Sequence, residues 1–221
     1  MNKKSEWSFR KELARKSIHF SSVLIIVFYF VMRYYFNEEI SLFSLVGILV
    51  VFLGLEYWRI EVGRNIPIIS LLWKYMKREK EKDRLGGDLF MVLGAILVLS
   101  IFDLRVAISA ILMTTFGDMA AALIGTRYGK NYLSFLEDRA WEGILAEFFV
   151  DVFIGFMVFF WGFWINPSII LNGQLWTIIL VMSLVATFIE TIIYKVDDNL
   201  LIPVFAGFSG QSIVMLFRWL G

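Results

Sequence analysis

The chain has 221 residues, of which 59% are hydrophobic and 17% aromatic, and its formal net charge is +1. Soluble domains of this size are usually closer to half apolar, and the excess here lies in runs long enough to cross a bilayer. The chain has no cysteine, which excludes disulfides, thiolate chemistry and cysteine-based metal sites. We predict an all-α, polytopic membrane protein, because backbone polar groups in lipid must pair internally and the runs do not alternate as barrel strands do.

Seven apolar runs follow one another, and each is predicted to form a transmembrane helix. The first run follows a long mixed-charge start without a small-residue cleavage pattern, so we interpret it as an anchor and expect no cleavable signal peptide. The third run is the shortest, and it is bracketed by Gly86-Gly87 and Asp103 as one arm of a helical hairpin. We predict one transmembrane domain over 1–221, with spans at about 18–36, 40–58, 87–102, 104–125, 142–164, 175–194 and 200–219.

The distribution of Lys and Arg predicts the orientation of the chain. Segments 1–17, 59–86, 126–141 and 195–199 contain 6, 8, 3 and 1 of these residues, which is 18 of the 21 in the chain. Loops rich in Lys and Arg stay on the cytoplasmic side of a membrane. We therefore expect a cytoplasmic N-terminus and an external C-terminus.

The segment 59–86 is the only long loop. Its stretch "IPIISLLWKYM" places apolar side chains at helical spacing and is followed by the basic run "KREKEKDR". This pattern is typical of a helix that lies in the membrane interface, with a basic end near anionic lipid. A solvated linker explains the same pattern equally well.

Ionisable residues within the predicted spans indicate a polar site. Each costs roughly 2.5–3.5 kcal/mol on insertion scales and therefore usually faces an interior site. Six of the eight lie within about two turns of a cytoplasmic end, and Glu147 and Asp151 lie deeper. We predict one site at the cytoplasmic interface, formed from several helices. The eight residues are His19, Glu56, Asp88, Asp118, Glu142, Glu147, Asp151 and Glu190.

The first part of this site is predicted at the head of span one. Glu12, Arg15, Lys16 and His19 fall within about a 100° arc on a helix. Arg offers a bidentate fork and Lys a point charge, so this face suits an anion. The alternative is that these cations only snorkel to the interface and orient the helix.

The stretch "TTFGDMAAALIGTRYGKNYL" carries the strongest signal. Asp118 shares a helical face with two alanines and Gly125, and the basic residues Arg127 and Lys130 follow. Bare backbone beside cations suits a polyphosphate, and a carboxylate on the same face suits Mg²⁺. The alternative is helix packing, for which Gly125 and Gly129 have the small-xxx-small spacing.

The next polar group lies at the start of span five and the end of span six. Arg139, Glu142 and Gly143 open span five, where Glu142 could alternatively serve only to compensate the helix dipole. Glu190 lies near the cytoplasmic end of span six.

The turn into span seven reads Asp197-Asp198-Asn199 and precedes Pro203. Two adjacent carboxylates suit a metal ligand set or a general base. Turn chemistry with a helix N-cap is the alternative.

Five motifs occur in an order that resembles the polyprenol kinase family, which includes dolichol kinases, phytol kinases and CTP-dependent diacylglycerol kinases. They are "RKSIH", "LEYWR", "FGDMAAALIGTRYGK", "WEG" and "DDNLLIP", and together they span nearly the whole chain. The resemblance implies a CTP-dependent, Mg²⁺-requiring kinase that phosphorylates the hydroxyl of a membrane lipid alcohol. One position departs from the family, which usually has Lys-Ser where this chain has Arg139-Ala140; the cation is kept and the hydroxyl is lost.

The resemblance marks residues in each motif. These are Arg15, Lys16, His19, Glu56, Arg59, Gly117, Asp118, Gly125, Gly129, Lys130, Glu142, Gly143, Asp197, Asp198, Asn199 and Pro203.

Together these signals define the predicted site. Phosphoryl transfer depends on positioning and charge neutralisation, so we expect Mg²⁺ at Asp118 and Asp198, and a hydroxyl-orienting or base role for Asp197, Asp198 or His19. Glu142 completes the catalytic set, and Glu56, Arg59 and Glu190 are further polar residues of the site. The predicted nucleotide and phosphate contacts are Arg15, Lys16, Gly117, Gly125, Arg127, Gly129, Lys130, Arg139, Gly143 and Asn199.

Two other functions remain open. The middle motif and "WEG" also resemble the CDP-diacylglycerol synthases, which use CTP but transfer CMP; their C-terminal signature is missing here. A transporter with charges along a pathway is the third alternative.

The expected partners are CTP, a lipid alcohol and the bilayer, with no nucleic acid. The identity of the acceptor and the oligomeric state stay open.

Overall fold

Seven helices form along the predicted apolar runs. The computed structural model describes residues 21–62, 85–133, 136–161, 172–193 and 197–220. Within these ranges the prediction of an all-α protein with about seven helices is confirmed. The helices are α1 (Ser21–Tyr35), α2 (Glu38–Tyr57), α3 (Gly87–Ile101), α4 (Leu104–Tyr128), α5 (Trp141–Phe156), α6 (Asn172–Ile192) and α7 (Asp198–Leu220).

Five stretches of these helices are long and apolar enough to cross a membrane, which indicates an integral membrane protein. Helices α1 and α3 are apolar but shorter. Two helices gain length from a terminal π-helical turn, at Trp58–Val62 after α2 and at Met157–Trp161 after α5. The five stretches are Glu38–Glu61, Leu104–Tyr128, Trp141–Phe160, Gly173–Ile192 and Asp198–Leu220.

Short polar side chains begin three of the helices. The Asn37 side chain accepts a hydrogen bond from the backbone N–H of Ile40 (2.7 Å) at the start of α2. Asp103 does the same for the N–H of Arg105 (3.2 Å) at the start of α4, and Asp197 for that of Asn199 (3.1 Å) at the start of α7. Each side chain satisfies a donor that the first turn of a helix leaves unpaired.

Helix α4 lies at the centre of the bundle and α2 at its edge. In the apolar stretch of α4, 61% of the residues are buried, whereas only 17% are buried in the stretch that contains α2. Two apolar clusters surround α4. One joins α4 with α5, α6 and α7 around Met113, Ile179 and Met182, and the other joins α1, α2, α3 and α4 around Tyr29 and Leu45. The exposed apolar face of α2 is therefore available to lipid.

Glycines bring α4 and α5 into close contact. A Cβ at Gly143 would lie 2.7 Å from the carbonyl oxygen of Ala121 and 3.2 Å from the Cα of Gly125. A Cβ at Gly125 would meet only the Cα of Gly143, at 3.6 Å. The alternative role of small residues in helix packing therefore applies at this crossing.

We expect Gly143→Ala to lower the free energy of unfolding by about 1–3 kcal/mol, because the new methyl group overlaps backbone that has little freedom to move. Gly125→Ala is the matched control, and its stability should stay within about 0.5 kcal/mol of wild type. Thermal unfolding of both variants in detergent checks this. Equal midpoints for the two variants would contradict the helix contact described here.

A short β-hairpin, which the sequence analysis did not predict, joins α4 to α5. Strands β1 (Tyr132–Leu133) and β2 (Leu136–Ala140) pair antiparallel. The backbone N–H of Trp141 also donates a hydrogen bond to the carbonyl of Asn131 (2.9 Å). The hairpin places Arg139 immediately before α5.

Candidate functional site

The polar residues of the predicted site meet at one end of the bundle. Successive helices run in opposite directions, so the ends of α2, α4 and α6 lie on the same side as the starts of α3, α5 and α7. Contacts between them form two groups. The α4–α6 cluster comprises Asp118, Arg139, Glu147, Asp151 and Glu190, and the α2–α7 cluster comprises Glu56, Arg59, Gly87, Asp197 and Asn199.

Arg139 and Glu190 form the ion pair of the α4–α6 cluster. The Nη1 atom of Arg139 lies 2.6 Å from Oε1 of Glu190, and its Nη2 atom donates to the Glu190 backbone carbonyl at 3.1 Å. The Glu190 side chain is fully buried, whereas 34% of the Arg139 side chain is exposed. Burial alone would lower the pKa of Arg139, but the neighbouring carboxylates of Glu190, Asp118 and Glu147 together outweigh burial and raise that pKa. Arg139 is therefore a permanent cation with one face open to a ligand.

Three more carboxyl groups surround this pair. Asp118 on α4 is 7% exposed and interacts electrostatically with Arg139. The Glu147 carboxyl on α5 lies beside that of Glu190, and Asp151 packs against Gly117. The cluster thus brings together the predicted residues Gly117, Asp118, Arg139 and Glu190.

Asp151 is the most unusual member of this cluster. Its side chain is completely buried, and neither carboxyl oxygen has a hydrogen-bond partner among the residues that the structure describes. An acidic group in the interior of a membrane protein is costly and usually marks a functional site. Glu147 and Asp151 are among the ionisable residues predicted for the polar site, without an individual role. The sequence does contain a pattern that points to the two carboxyl groups, because Gly143, Glu147 and Asp151 recur every four residues and therefore share one face of α5.

Two further predicted cations of the nucleotide site lie at the surface, at the end of α4. Arg127, in the last turn of α4, and Lys130 are both exposed. Glu142 accepts a hydrogen bond from the Asn131 side-chain amide at 3.0 Å, which ties the loop after α4 to the start of α5. Gly129 packs against Ala140 at the base of the hairpin. Glu142 therefore has a structural contact in addition to the catalytic role predicted for it.

The α2–α7 cluster gathers residues from three helix ends. Glu56 is 4% exposed and accepts hydrogen bonds from Arg59 (2.7 Å) and from the backbone N–H of Gly86 (3.0 Å). Asp197 accepts from the side-chain amide of Asn199 at 2.9 Å. Turn chemistry, the alternative considered for this segment, therefore operates in the structure.

Gly87 joins α3 to the start of α7. A Cβ at Gly87 would lie 2.8 Å from Nδ2 of Asn199 and 3.4 Å from Oδ2 of Asp197. Asp198, the adjacent predicted metal ligand, accepts a hydrogen bond from the backbone N–H of Asn199 (3.0 Å). The Asp197 carboxylate thus lies directly against the first residue of α3.

The start of α1 also lies near the α4–α6 cluster. The hydroxyl groups of Ser22 and Thr115 are 2.5 Å apart, and Thr115 precedes Asp118 by about one helical turn. The predicted anion-binding residues Arg15, Lys16 and His19 lie outside the described residues. The predicted interfacial helix of the 59–86 loop also lies outside the described residues.

The described carboxylates fit Mg²⁺ only together with a nucleotide. Among the residues described, no three Asp, Glu or His side chains are grouped so as to hold a metal ion by themselves. Mg²⁺ commonly binds through one or two carboxylates and completes its shell with phosphates and water. The buried oxygens of Asp118 and Asp151 are donors of this hard type. The described residues therefore suit a magnesium–nucleotide complex.

The fold and site define a helical membrane protein whose acidic and basic residues meet at one end of the bundle. Known proteins with similar sequences are lipid kinases. The CTP-dependent diacylglycerol kinase 1 of Schizosaccharomyces pombe is 26% identical over 211 residues, which cover 90% of this chain and 92% of the yeast protein. The protein of the same name from Saccharomyces cerevisiae is 24% identical over 95% of this chain and 76% of its own length.

A third relative is a probable chloroplastic phytol kinase from Triticum aestivum, 27% identical over 60% of this chain and 46% of its own length. No family model matches the chain, and no solved structure shows significant similarity to it. The chain is thus a distant homologue, over most of its length, of CTP-dependent diacylglycerol kinases and phytol kinases, which belong to the polyprenol kinase family.

Proposed function

We propose that the protein is a CTP-dependent lipid kinase that transfers the γ-phosphoryl group of CTP to the hydroxyl of a membrane lipid alcohol. The observation that carries this proposal is the meeting of the buried Asp118 with Arg139 in one cluster. Two exposed cations, Arg127 and Lys130, follow at the end of the same helix as Asp118. The homology to CTP-dependent kinases supports CTP as the donor. The excess of Lys and Arg on the same side supports a site at the cytoplasmic face.

The side chains have distinct roles in this proposal. Arg127, Lys130 and the open face of Arg139 bind the CTP phosphates, where a guanidinium fork offers two parallel hydrogen bonds. Asp118 would hold Mg²⁺ on the phosphates, with Asp198 at the start of α7 as the second predicted ligand, and the ion would neutralise phosphate charge when bound. Glu190 keeps Arg139 in place through its buried carboxylate.

The reaction itself is a single displacement. The lipid hydroxyl oxygen forms a bond to the γ-phosphorus, while the bond from that phosphorus to the β–γ bridging oxygen breaks and CDP leaves. The hydroxyl proton passes to a carboxylate of the Asp197-Asp198 turn. This turn suits the role because it lies at the start of α7, beside α3 and near the polar end of the bundle.

We expect label from γ-labelled CTP to appear in a lipid monophosphate when purified protein is supplied with Mg²⁺ and diacylglycerol, phytol or polyprenol. In sealed vesicles of known orientation, label should be incorporated only when CTP is on the cytoplasmic side. Release of label as pyrophosphate, with a CDP-lipid formed from phosphatidic acid, would favour the synthase alternative. Solute flux without nucleotide turnover would favour the transporter.

A further inference from the structure

An apolar groove of about 250 Å³ lies between α1, α2 and α3. Its walls include Leu24 and Phe28 of α1, Phe52 of α2 and Met91 of α3. The Leu24 side chain is 68% exposed, and α2 is the edge helix of the bundle. A hydrocarbon chain in the surrounding bilayer therefore has lateral access to this groove.

The groove has one polar end. Asp88 is the only ionisable residue among the described residues that line it. Asp88 lies in the first turn of α3, and it follows Gly87, which packs against Asn199 and Asp197. The groove therefore leads from the lipid side of the protein to the α2–α7 cluster.

A second groove, of about 460 Å³, lies between α5 and α6 and offers no such polar end. No ionisable residue is found among the described residues that line it. Its two hydroxyl groups already donate hydrogen bonds within α6, from Thr187 to the Ser183 carbonyl (2.9 Å) and from Thr191 to the Thr187 carbonyl (2.7 Å). This groove suits hydrocarbon alone, because an alcohol placed there would leave its hydroxyl without a charged partner.

We propose that the groove between α1, α2 and α3 binds the hydrocarbon tail of the acceptor lipid, and that Asp88 accepts a hydrogen bond from the lipid hydroxyl and holds it beside Asp197. This inference rests on the kinase activity proposed above. It assigns the acceptor to a long-chain alcohol that enters from the membrane. It also gives Asp88, which the family resemblance did not mark, a role in orienting the acceptor.

Filling the groove tests the position of the tail. Ile48 lines this groove and Ile144 lines the groove between α5 and α6, and both side chains are partly buried. We expect Ile48→Trp to raise the KM for the lipid alcohol about tenfold, because overpacking removes space that the tail needs. The KM for CTP should stay unchanged. Ile144→Trp is the matched control and should leave both values near wild type.

Asp88→Ala tests the polar end of the groove. We expect it to lower kcat with the lipid at least tenfold without changing the KM for CTP, because the hydroxyl loses the group that orients it. Asp88→Asn keeps a hydrogen-bond acceptor and should recover part of the rate. A general loss of folding would instead lower kcat and raise the KM for CTP in both variants, and this result would contradict a specific role of Asp88 in orienting the lipid hydroxyl.

Photocrosslinking provides a measurement that does not depend on variants. Wild-type protein is irradiated with diacylglycerol or phytol that carries a diazirine in its tail, and the labelled peptides are identified. Labelling of α1, α2 or α3 supports the inference. Labelling of α5 and α6 would overturn the inference about the lipid tail and leave the proposed kinase activity intact. A larger rise in the KM for the lipid alcohol in Ile144→Trp than in Ile48→Trp would have the same meaning. Absence of any lipid phosphorylation by wild-type protein would instead remove the proposed function.

Discussion

Asp118→Asn is expected to reduce CTP-dependent phosphorylation of lipid by about 10²–10³-fold, the size of effect seen when one preorganised electrostatic contact to a reacting centre is lost. Asp118 is 7% exposed and lies near the only described cation of the α4–α6 cluster, Arg139. Asn has nearly the same shape but no charge to offer Mg²⁺. The rate is measured with γ-labelled CTP over a range of Mg²⁺ concentrations.

Asp103→Asn is the control for this variant, because Asp103 begins the same helix at its opposite end. There Asp103 caps α4, and its Oδ2 atom lies 3.5 Å from Nη2 of Arg218. The proposed chemistry is at the other end of the helix. Its loss should affect stability only, by at most about 2 kcal/mol. Full turnover by Asp118→Asn would remove Asp118 as a metal ligand. Equal losses of activity in both variants would indicate a general effect on folding.

Arg139→Ala is expected to destabilise the protein and to abolish activity. It leaves the fully buried Glu190 carboxylate without its ion-pair partner. Breaking a buried pair from one side costs about 3–5 kcal/mol, and we expect the lower end because Arg139 is 34% exposed. At about 2–4 °C per kcal/mol for a chain of this size, the midpoint of thermal unfolding should fall by about 6–12 °C.

Two further variants separate stability from catalysis. Arg139→Ala combined with Glu190→Gln removes both charges and should recover most of the midpoint without recovering activity, since the phosphate contact stays absent. Arg139→Lys keeps a cation and should retain part of both properties, because Lys lacks the fork that contacts two oxygens at once. An unchanged midpoint in Arg139→Ala would show that the ion pair contributes nothing to stability. Wild-type activity in the double variant would exclude Arg139 from the nucleotide site.

The two clusters divide the proposed reaction between the halves of the bundle. The α4–α6 cluster provides the cation and carboxylates suited to a magnesium nucleotide, and the α2–α7 cluster lies beside the groove proposed for the acceptor. On the acceptor side, helices α3 and α7 lie close together, because Gly94 allows α3 to approach the Asn199 carbonyl closely. Pro203 leaves that carbonyl without its usual helical donor.

Much of the fold was predictable because it depends on local properties of the chain. The length of each apolar run determines a helix that can cross a bilayer, and Asn37, Asp103 and Asp197 mark helix starts through hydrogen bonds to the next few residues. Where both ends of a comparison lie among the described residues, the predicted spans accordingly agree with the helices to within about three residues. The placement of charged residues at one end of the spans also follows from the sequence, since alternating helices return to the same side.

Only the tertiary structure decided which of these residues touch. The pairing of Arg139 with Glu190 joins positions 51 residues apart, and it depends on how the hairpin and α6 are rotated towards each other. The orientations of the other helices likewise decide that Gly143 faces Ala121, that Asp151 is buried without a hydrogen-bond partner among the described residues, and that Asp88 lines a groove. Helical periodicity determines which residues share a face of one helix. It does not determine which faces of two helices meet, because that choice depends on packing summed over the whole bundle.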